Sequence, residues 1–297
     1  MKQEIFPEGD YALALSGGGC RGAAHAGILL ALSEENRLPS AIAGTSAGSI
    51  VAGLFASGMH PAEICEMVHT LAKHGTDYLD PAIGAVFGFV PRLLLGRPTK
   101  LCGLLKGKKL HCLFKSWVGE RVMSELAYPL LIPAVDLRTG YTVVFTSFPV
   151  CTEACLTGSA GGNQKIRWMD RGRFADVMMA SSSVPGVFCP FHMEEMELVD
   201  GGVTNNLPVD LLHDAGFAKV AAVDVGAGYE GEICNSVFDI LSHSFSIMSE
   251  NLKDCRSEGE EILLRPPLPT EAGLLTFNQM EACMESAYHY MKNILTK

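Results

Sequence analysis

Hydrophobic positions along the chain follow two alternating patterns. Near-continuous apolar runs at Tyr11–Ser16, Ala41–Thr45, Leu130–Leu137, Thr142–Ser147, Glu197–Val199, Val220–Val225 and Ile262–Leu264 have the length of buried strands. Between several of them lie stretches that read as helices: Gly22–Ser33, Ala47–Ser57, Pro61–Lys73, Phe174–Ser182 and Leu207–Ala215. The third is the clearest, because Pro61 suits a first helical turn and Ile64, Met67, Val68 and Leu71 mark one face. Two longer stripes follow toward the C-terminus. Val237, Ile240, Leu241, Phe245, Met248 and Leu252 form one, and Phe277, Met280, Met284, Tyr288, Met291 and Leu295 the other. Both predict amphipathic helices with the stripe turned to the core, a partner-binding face being the alternative. Strands alternating with helices predict an α/β layered fold around a largely parallel sheet. The 297 residues fit a single domain over 1–297 without internal repeats, and the Gly/Ser tract Thr157–Asn163 reads as a surface loop.

One region departs from this pattern. From Pro81 to Gly119 there is no Asp or Glu, while Arg92, Arg97, Lys100, Lys106, Lys108, Lys109 and Lys115 are interleaved with Leu93–Leu95, Leu101, Leu104 and Leu105. In a chain of net charge −10 this is a local excess of positive charge. It reads as an insertion at about residues 76–126. Either it is a solvated flap over the core, or it is a cap whose basic stretch Arg92–Lys115 meets an anionic membrane while its leucines meet acyl chains.

Composition narrows the classes further. Hydrophobic residues make up 48% and charged residues 19%, which supports a large core and excludes a disordered chain. The negative balance argues against a general nucleic-acid binder. The longest charge-free apolar run, around Ala82–Pro91, falls short of the roughly 20 residues of a membrane span, and the start of the chain lacks the pattern of a secretory signal. Both features predict a cytoplasmic protein, with peripheral membrane contact through the basic segment as the alternative. The ten cysteines are scattered; only Cys151 and Cys155 stand close, with no clustered histidines to complete a zinc set, so reduced thiols and no metal are expected.

The chemistry concentrates in three short motifs. In LALSGGGCRGAAHAG, Gly17, Gly19 and Gly22 form a Gly-x-Gly-x-x-Gly turn between a strand and a helix. Such a turn can cradle a dinucleotide's pyrophosphate or present backbone N–H groups to a transient oxyanion. The dinucleotide reading wants a carboxylate at the end of the second strand, but that strand ends in Gly44 and Thr45. It runs instead into GTSAG, Gly44 to Gly48, a strand-to-helix G-x-S-x-G elbow that would project the hydroxyl of Ser46. An ordinary helix N-cap is the plainer account of Ser46. A serine hydroxyl needs a base. His213, His243 and His289 sit within or off helical faces and read as packing or surface residues, as does His25. In ELVDGGVTNNLP, Asp200 ends a strand ahead of Gly201 and Gly202, and is either a base presented by a tight turn or an Asp-Gly turn without chemistry; Asp224 is the rival carboxylate.

GGGCRG, GTSAG and DGG, in that order, resemble the signature of the patatin-like phospholipase family, over about Tyr11 to Pro208. The segment Ala180–Pro190 resembles the Ser- and Pro-containing stretch before that family's aspartate. The resemblance implies a three-layer patatin-like fold, its largely parallel central sheet flanked by helices, and a Ser-Asp dyad of Ser46 and Asp200. It implies an oxyanion hole at Gly17, Gly18 and Gly19, with Gly18 and Gly19 as the direct donors. Gly22, Gly44, Gly48, Gly201 and Gly202 are its motif glycines, and Arg21 would steady the turn or meet a lipid phosphate. Cys20 fills the motif's variable position. The implied activity is hydrolysis of fatty-acyl esters of lipids through an acyl-Ser46 intermediate, with no cofactor and no nucleic acid. A soluble carboxylesterase or thioesterase, or a lipid-binding regulator without turnover, are the alternatives.

Overall fold

The computed structural model describes residues 6, 9–83, 95, 102–150, 165–226, 237–254 and 259–296. In chain order the elements are β1 (Ala12–Leu15), α1 (Ala23–Glu34), β2 (Ala41–Gly44), α2 (Ala47–Ala56), α3 (Pro61–His74), β3 (Gly103–Leu105), α4 (Lys108–Val118), β4 (Leu130–Asp136), β5 (Tyr141–Thr146) and β6 (Ile166–Met169). They continue with α5 (Phe174–Ser181), β7 (Gly186–Phe188), β8 (Phe191–Met193), β9 (Met196–Asp200), α6 (Val209–Asp214), β10 (Val220–Val223), α7 (Val237–Asp254), β11 (Ile262–Leu264) and α8 (Met280–Leu295). The expected strands and helices are all present within a few residues. Thr157–Asn163, Cys151, Cys155, Arg92, Arg97 and Lys100 lie outside the described residues.

The main sheet runs β11-β10-β1-β2-β4-β5-β6, with β9 paired to β4 and β8. Pairing is parallel from β11 through β4 and antiparallel where β4 meets β5 and β9. Strand periodicity splits the buried residues between two faces. Leu13, Leu15 and Ile42 face a core shared with α1, α2, α3 and α8, whereas Ala12, Ala14, Ala41 and Ala43 face the smaller core of Leu207, Val209, Leu211 and Leu212 around α6. Helices thus cover both sides of a mostly parallel sheet, giving three layers.

The position of β9 decides where the chemistry sits. One edge of β4 is shared: Leu130 and Leu131 pair with Ile42 and Ala43 of β2, while Ala134, Val135 and Asp136 pair with Asp200, Val199 and Leu198 of β9. Because β2 runs parallel to β4 and β9 runs against it, their C-terminal ends point at each other across Pro133.

α3 forms for local reasons. Pro61 opens it, the His60 ring accepts from Ala62 N–H at 3.3 Å, and the Glu63 carboxylate accepts from His60 N–H at 2.9 Å, which together satisfy donors at the first turn. The last amphipathic stripe is confirmed in α8, where Met280, Met284 and Met291 are buried. The stripe in α7 is not turned to the core as expected: Ile240 is 52% and Met248 63% exposed, with Ile247 beside them, although Phe245 does pack against the core. The helix is rotated because its polar side is pulled inward. Lys253 is buried and donates to Asp224 Oδ2 at 2.7 Å, and Ser249 is buried one turn before it.

The insertion read at about 76–126 is bolted to the body through its second half. β3 pairs with β7, and Phe114 and Val118 of α4 join the main core, while within the insertion Asp80 accepts from Gly107 N–H and Lys108 N–H. His111 Nε2 meets Asp176 Oδ1 of α5 at 2.6 Å. The short strands β3, β6, β7 and β8 carry little periodic signal and were not expected; α4 was not expected either, although Leu110, Leu113, Phe114, Trp117 and Val118 do follow a helical period.

Gly27 of α1 is where the C-terminal helix comes closest: a Cβ there would lie 2.1 Å from Met284 O of α8 and 3.0 Å from Tyr288 N, both rigid main-chain atoms. Gly27→Ala is therefore expected to lower stability by about 1–3 kcal/mol, despite alanine's better helix propensity, as measured by urea unfolding.

Candidate active site

Ser46 sits between β2 and α2 with φ 53° and ψ −123°, a conformation that non-glycine residues rarely adopt. Holding it there costs on the order of 1–3 kcal/mol, which the surroundings supply. Ser46 N–H donates to Ser181 Oγ at 3.1 Å, and Ser49 Oγ donates to Ser46 O at 2.6 Å. The turn is tight enough that a Cβ on Gly44 would meet Gly48 O at 2.3 Å, and one on Gly48 would meet Leu15 O at 2.5 Å. The side chain stands at the N-terminus of α2, where the aligned peptide dipoles favour negative charge, and is 7% exposed.

Asp200 ends β9 opposite Ala134, three residues along β4 from Leu131, the last position paired with β2 before the elbow. Its N–H donates to Ser183 O at 3.0 Å, so the Ser181–Ser183 segment grips both Ser46 and Asp200. The carboxylate is 1% exposed. Oδ1 accepts from Gly202 N–H at 2.7 Å, while buried Oδ2 has no hydrogen-bond partner of ordinary geometry. Burial pushes the carboxyl pKa up to about 7, although the adjacent Ser46 hydroxyl and the Gly202 N–H both pull it down. Ser46 and Asp200 therefore share one site, with a lone pair on the carboxylate left over. Asp224, the rival, is committed elsewhere: Lys253, Gly226 N–H and Arg265 outweigh the effect of its burial and keep its pKa low.

The glycine turn closes the site from the side of β1. A Cβ on Gly17 would lie 3.1 Å from Ser46 Cβ, and one on Gly22 would meet Ala47 Cβ at 2.4 Å, so the turn is jammed against the elbow. The N–H of Gly17 is occupied, donating to Asn206 O at 3.1 Å. The N–H groups of Gly18 and Gly19 have no acceptor among the described residues. Arg21, expected to steady the turn or to meet a lipid phosphate, is buried, and its guanidinium donates to Val225 O, Gly226 O, Pro269 O and Ala272 O. His25 is fully buried, and burial draws its pKa down to about 4; the neutral ring donates from Nε2 to Ser16 O at 2.8 Å. His213 faces carbonyls of its own neighbourhood, Phe217 O and Gly259 O.

Two residues next to the aspartate turn tie the three motifs together. Asn206 O receives the Gly17 N–H, and Asn205 O receives the Thr45 hydroxyl at 2.9 Å. Gly201 lets this loop cross β4, since a Cβ there would sit 2.4 Å from Pro133 O, and one on Gly202 would lie 3.0 Å from Asp200 Oδ1. The pair of asparagines three and four residues after Asp-Gly-Gly, Asn205 and Asn206, was the available signal for this latch. Residues 269–274, which receive Arg21 and Cys20, carried no signal.

The patatin-like phospholipase family model matches residues 13–213, which contain the glycine turn, the elbow and the aspartate loop. The chain belongs to the patatin-like phospholipase family. An NTE family protein of Mycobacterium tuberculosis is 30% identical over 203 residues, 67% of this chain and 44% of that protein. Mouse patatin-like phospholipase domain-containing protein 6 is 26% identical over 224 residues, 75% of this chain and 14% of the mouse protein. The patatin region here thus corresponds to less than half the length of these relatives. VipD from Legionella pneumophila has a similar fold, with a TM-score of 0.54 at 14% identity over 98% of this chain and 67% of VipD.

In this patatin domain the raised pKa of Asp200 is a cost to folding. Between its ordinary value of 3.8 and about 7 the folded state binds the proton that the unfolded state has released, so stability falls as pH rises through that window. Asp200→Asn is expected to stabilise the protein by about 2–4 kcal/mol at pH 8 and by little at pH 4, read from denaturant midpoints at the two pH values.

Proposed function

We propose that the protein is a serine acyl hydrolase acting on fatty-acyl esters of phospholipids or lysophospholipids. The observation that carries this reading is the meeting of a strained serine, at the N-terminus of α2 but with its side chain making no cap hydrogen bond, with a buried carboxylate whose Oδ2 has no other partner. Ser46 Oγ attacks the ester carbonyl while Asp200 Oδ2 takes its proton. The oxyanion forms against the free N–H groups of Gly18 and Gly19. The C–O bond to the leaving alcohol breaks, the alcohol takes the proton from Asp200, and acyl-Ser46 remains. Water then gives a proton to Asp200 as it attacks the acyl carbonyl, and Ser46 recovers its proton as the fatty acid leaves. A pKa near 7 suits a base at neutral pH. Lipid as the acyl donor is supported by the family and by the phospholipase name of the mouse relative.

Hydrolysis of p-nitrophenyl esters and lysophospholipids tests this. Ser46→Ala is expected to abolish turnover and fluorophosphonate labelling. Wild-type kcat/KM is expected to rise with pH through about 7 as Asp200 ionises. Full activity of Ser46→Ala would end the proposal. Labelling without turnover on any lipid would favour a binding protein, and activity confined to soluble esters or thioesters would favour an esterase.

A second feature supports contact with anionic lipid. Lys106, Lys108 and Lys109 are exposed at the base of the acid-free segment, beside exposed Leu104 and Ile83. No described helix is long and apolar enough to cross a membrane, so any contact of these elements with a bilayer is at its surface. Co-sedimentation with phosphatidylserine vesicles is expected to exceed that with phosphatidylcholine vesicles and to weaken between 50 and 300 mM salt, roughly as the Debye length shortens. Glutamate at positions 106, 108 and 109 is expected to remove the preference.

A further inference from the structure

We infer that Arg21 is a positioning residue for the oxyanion donors, bracing the walls between which Gly18 and Gly19 are held, and that it does not contact substrate. This rests on the serine hydrolase reading above and goes beyond it by assigning the motif's cation.

Gly18 and Gly19 are packed between two separate segments. A Cβ on Gly18 would lie 2.8 Å from Val225 Cγ2 and 3.3 Å from Val225 O; a Cβ on Gly19 would lie 2.5 Å from Leu274 Cα and 2.7 Å from Leu274 O. Gly19 has φ +58°, so its conformation as well as its contacts belongs to glycine. The first wall follows β10, and the second is a C-terminal strap, residues 265–276, lying beyond the matched family region. The strap receives the turn directly, since Cys20 N–H lies between Gly273 O at 3.2 Å and Leu274 O at 3.3 Å.

The Arg21 guanidinium spans these same two segments. Nε donates to Val225 O at 2.8 Å and Nη2 to Gly226 O at 3.0 Å, both on the first wall. Nη1 faces Pro269 O at 3.3 Å and Ala272 O at 3.4 Å, both on the strap. A planar fork with donors on several sides can brace both walls at once, whereas a lysine ammonium is a single point that cannot reach all four carbonyls. The strap has its own lock: Thr276 Oγ1 accepts from Gly273 N–H at 2.6 Å. On the first wall, Asp224 Oδ1 accepts from Gly226 N–H while its Oδ2 receives Lys253 and Arg265, and Arg265 is itself where the strap begins. The two free N–H groups are therefore oriented by contacts on both sides, and such donors are effective only when fixed where charge develops.

The test compares wild type with Arg21→Lys, Arg21→Met and Thr276→Val on p-nitrophenyl butyrate, which has no phosphate, and on a lysophospholipid. Circular dichroism and thermal melts accompany each variant. Positioning predicts that Arg21→Lys lowers kcat by about 10²-fold on both substrates with KM within about twofold, and slows fluorophosphonate labelling of Ser46 in parallel. Thr276→Val, which leaves Arg21 and the dyad intact, is expected to show the same kcat-only pattern at smaller size. A rise in KM restricted to the lysophospholipid would overturn the proposal in favour of phosphate contact, and unchanged kcat in folded Arg21→Lys and Thr276→Val would also overturn it. Wild type that neither hydrolyses nor labels would instead overturn the hydrolase reading on which it rests.

Discussion

The shared edge of β4 is the constraint from which the site follows. A strand edge has one row of hydrogen-bonding groups, and here two strands use it in turn, β2 along Leu130–Leu131 and β9 along Ala134–Asp136. The two arrive from opposite directions, so each must turn away where they meet. Pro133, without an N–H to offer, stands at the changeover. The turn that ends β2 carries Ser46 and the turn that ends β9 carries Asp200. A parallel neighbour in the place of β9 would have carried its C-terminal carboxylate away from the elbow.

Convergence of this kind concentrates unfavourable terms in a small volume. The elbow serine is held at positive φ, the carboxylate is buried against its own preference for water, and the Gly18 and Gly19 N–H groups of the glycine turn have no acceptor among the described residues. Each of these is a cost that a purely structural site would avoid. What offsets them is main-chain bonding around the site: Gly17 N–H to Asn206 O, Thr45 Oγ1 to Asn205 O, Ser46 N–H to Ser181 Oγ and Asp200 N–H to Ser183 O. The strained groups are thus fixed by neighbours that take no part in the proposed chemistry, as preorganised electrostatics requires.

Charge inside the body has a structural use distinct from this site. Lys253 is buried and paired with Asp224, and that pairing turns α7 so that Ile240 and Met248 face outward. An unpaired ammonium in the interior would cost several kcal/mol, more than the burial of two apolar side chains returns, so the ion pair sets the rotation. The same pair fixes Gly226 and, through it, one wall of the glycine turn.

The turns that carry Ser46, Asp200 and the glycines were legible in the sequence because they depend on local geometry. A sharp turn needs small residues beside the serine, a strand end needs an Asp-Gly turn, and these requirements leave short, dense motifs. The strand runs were legible for a similar reason, since burial on both faces excludes polar residues for several positions in a row. The fate of Arg21, the commitment of the Gly17 N–H and the rotation of α7 were decided only by the tertiary structure. Each depends on partners more than ten positions away: Arg21 on carbonyls at 225, 226, 269 and 272, Gly17 on residue 206, Lys253 on Asp224. Main-chain carbonyls are present at every residue whatever the side chain, so an acceptor of that kind leaves no trace in the order of amino acids, and only the folded path of the chain selects it.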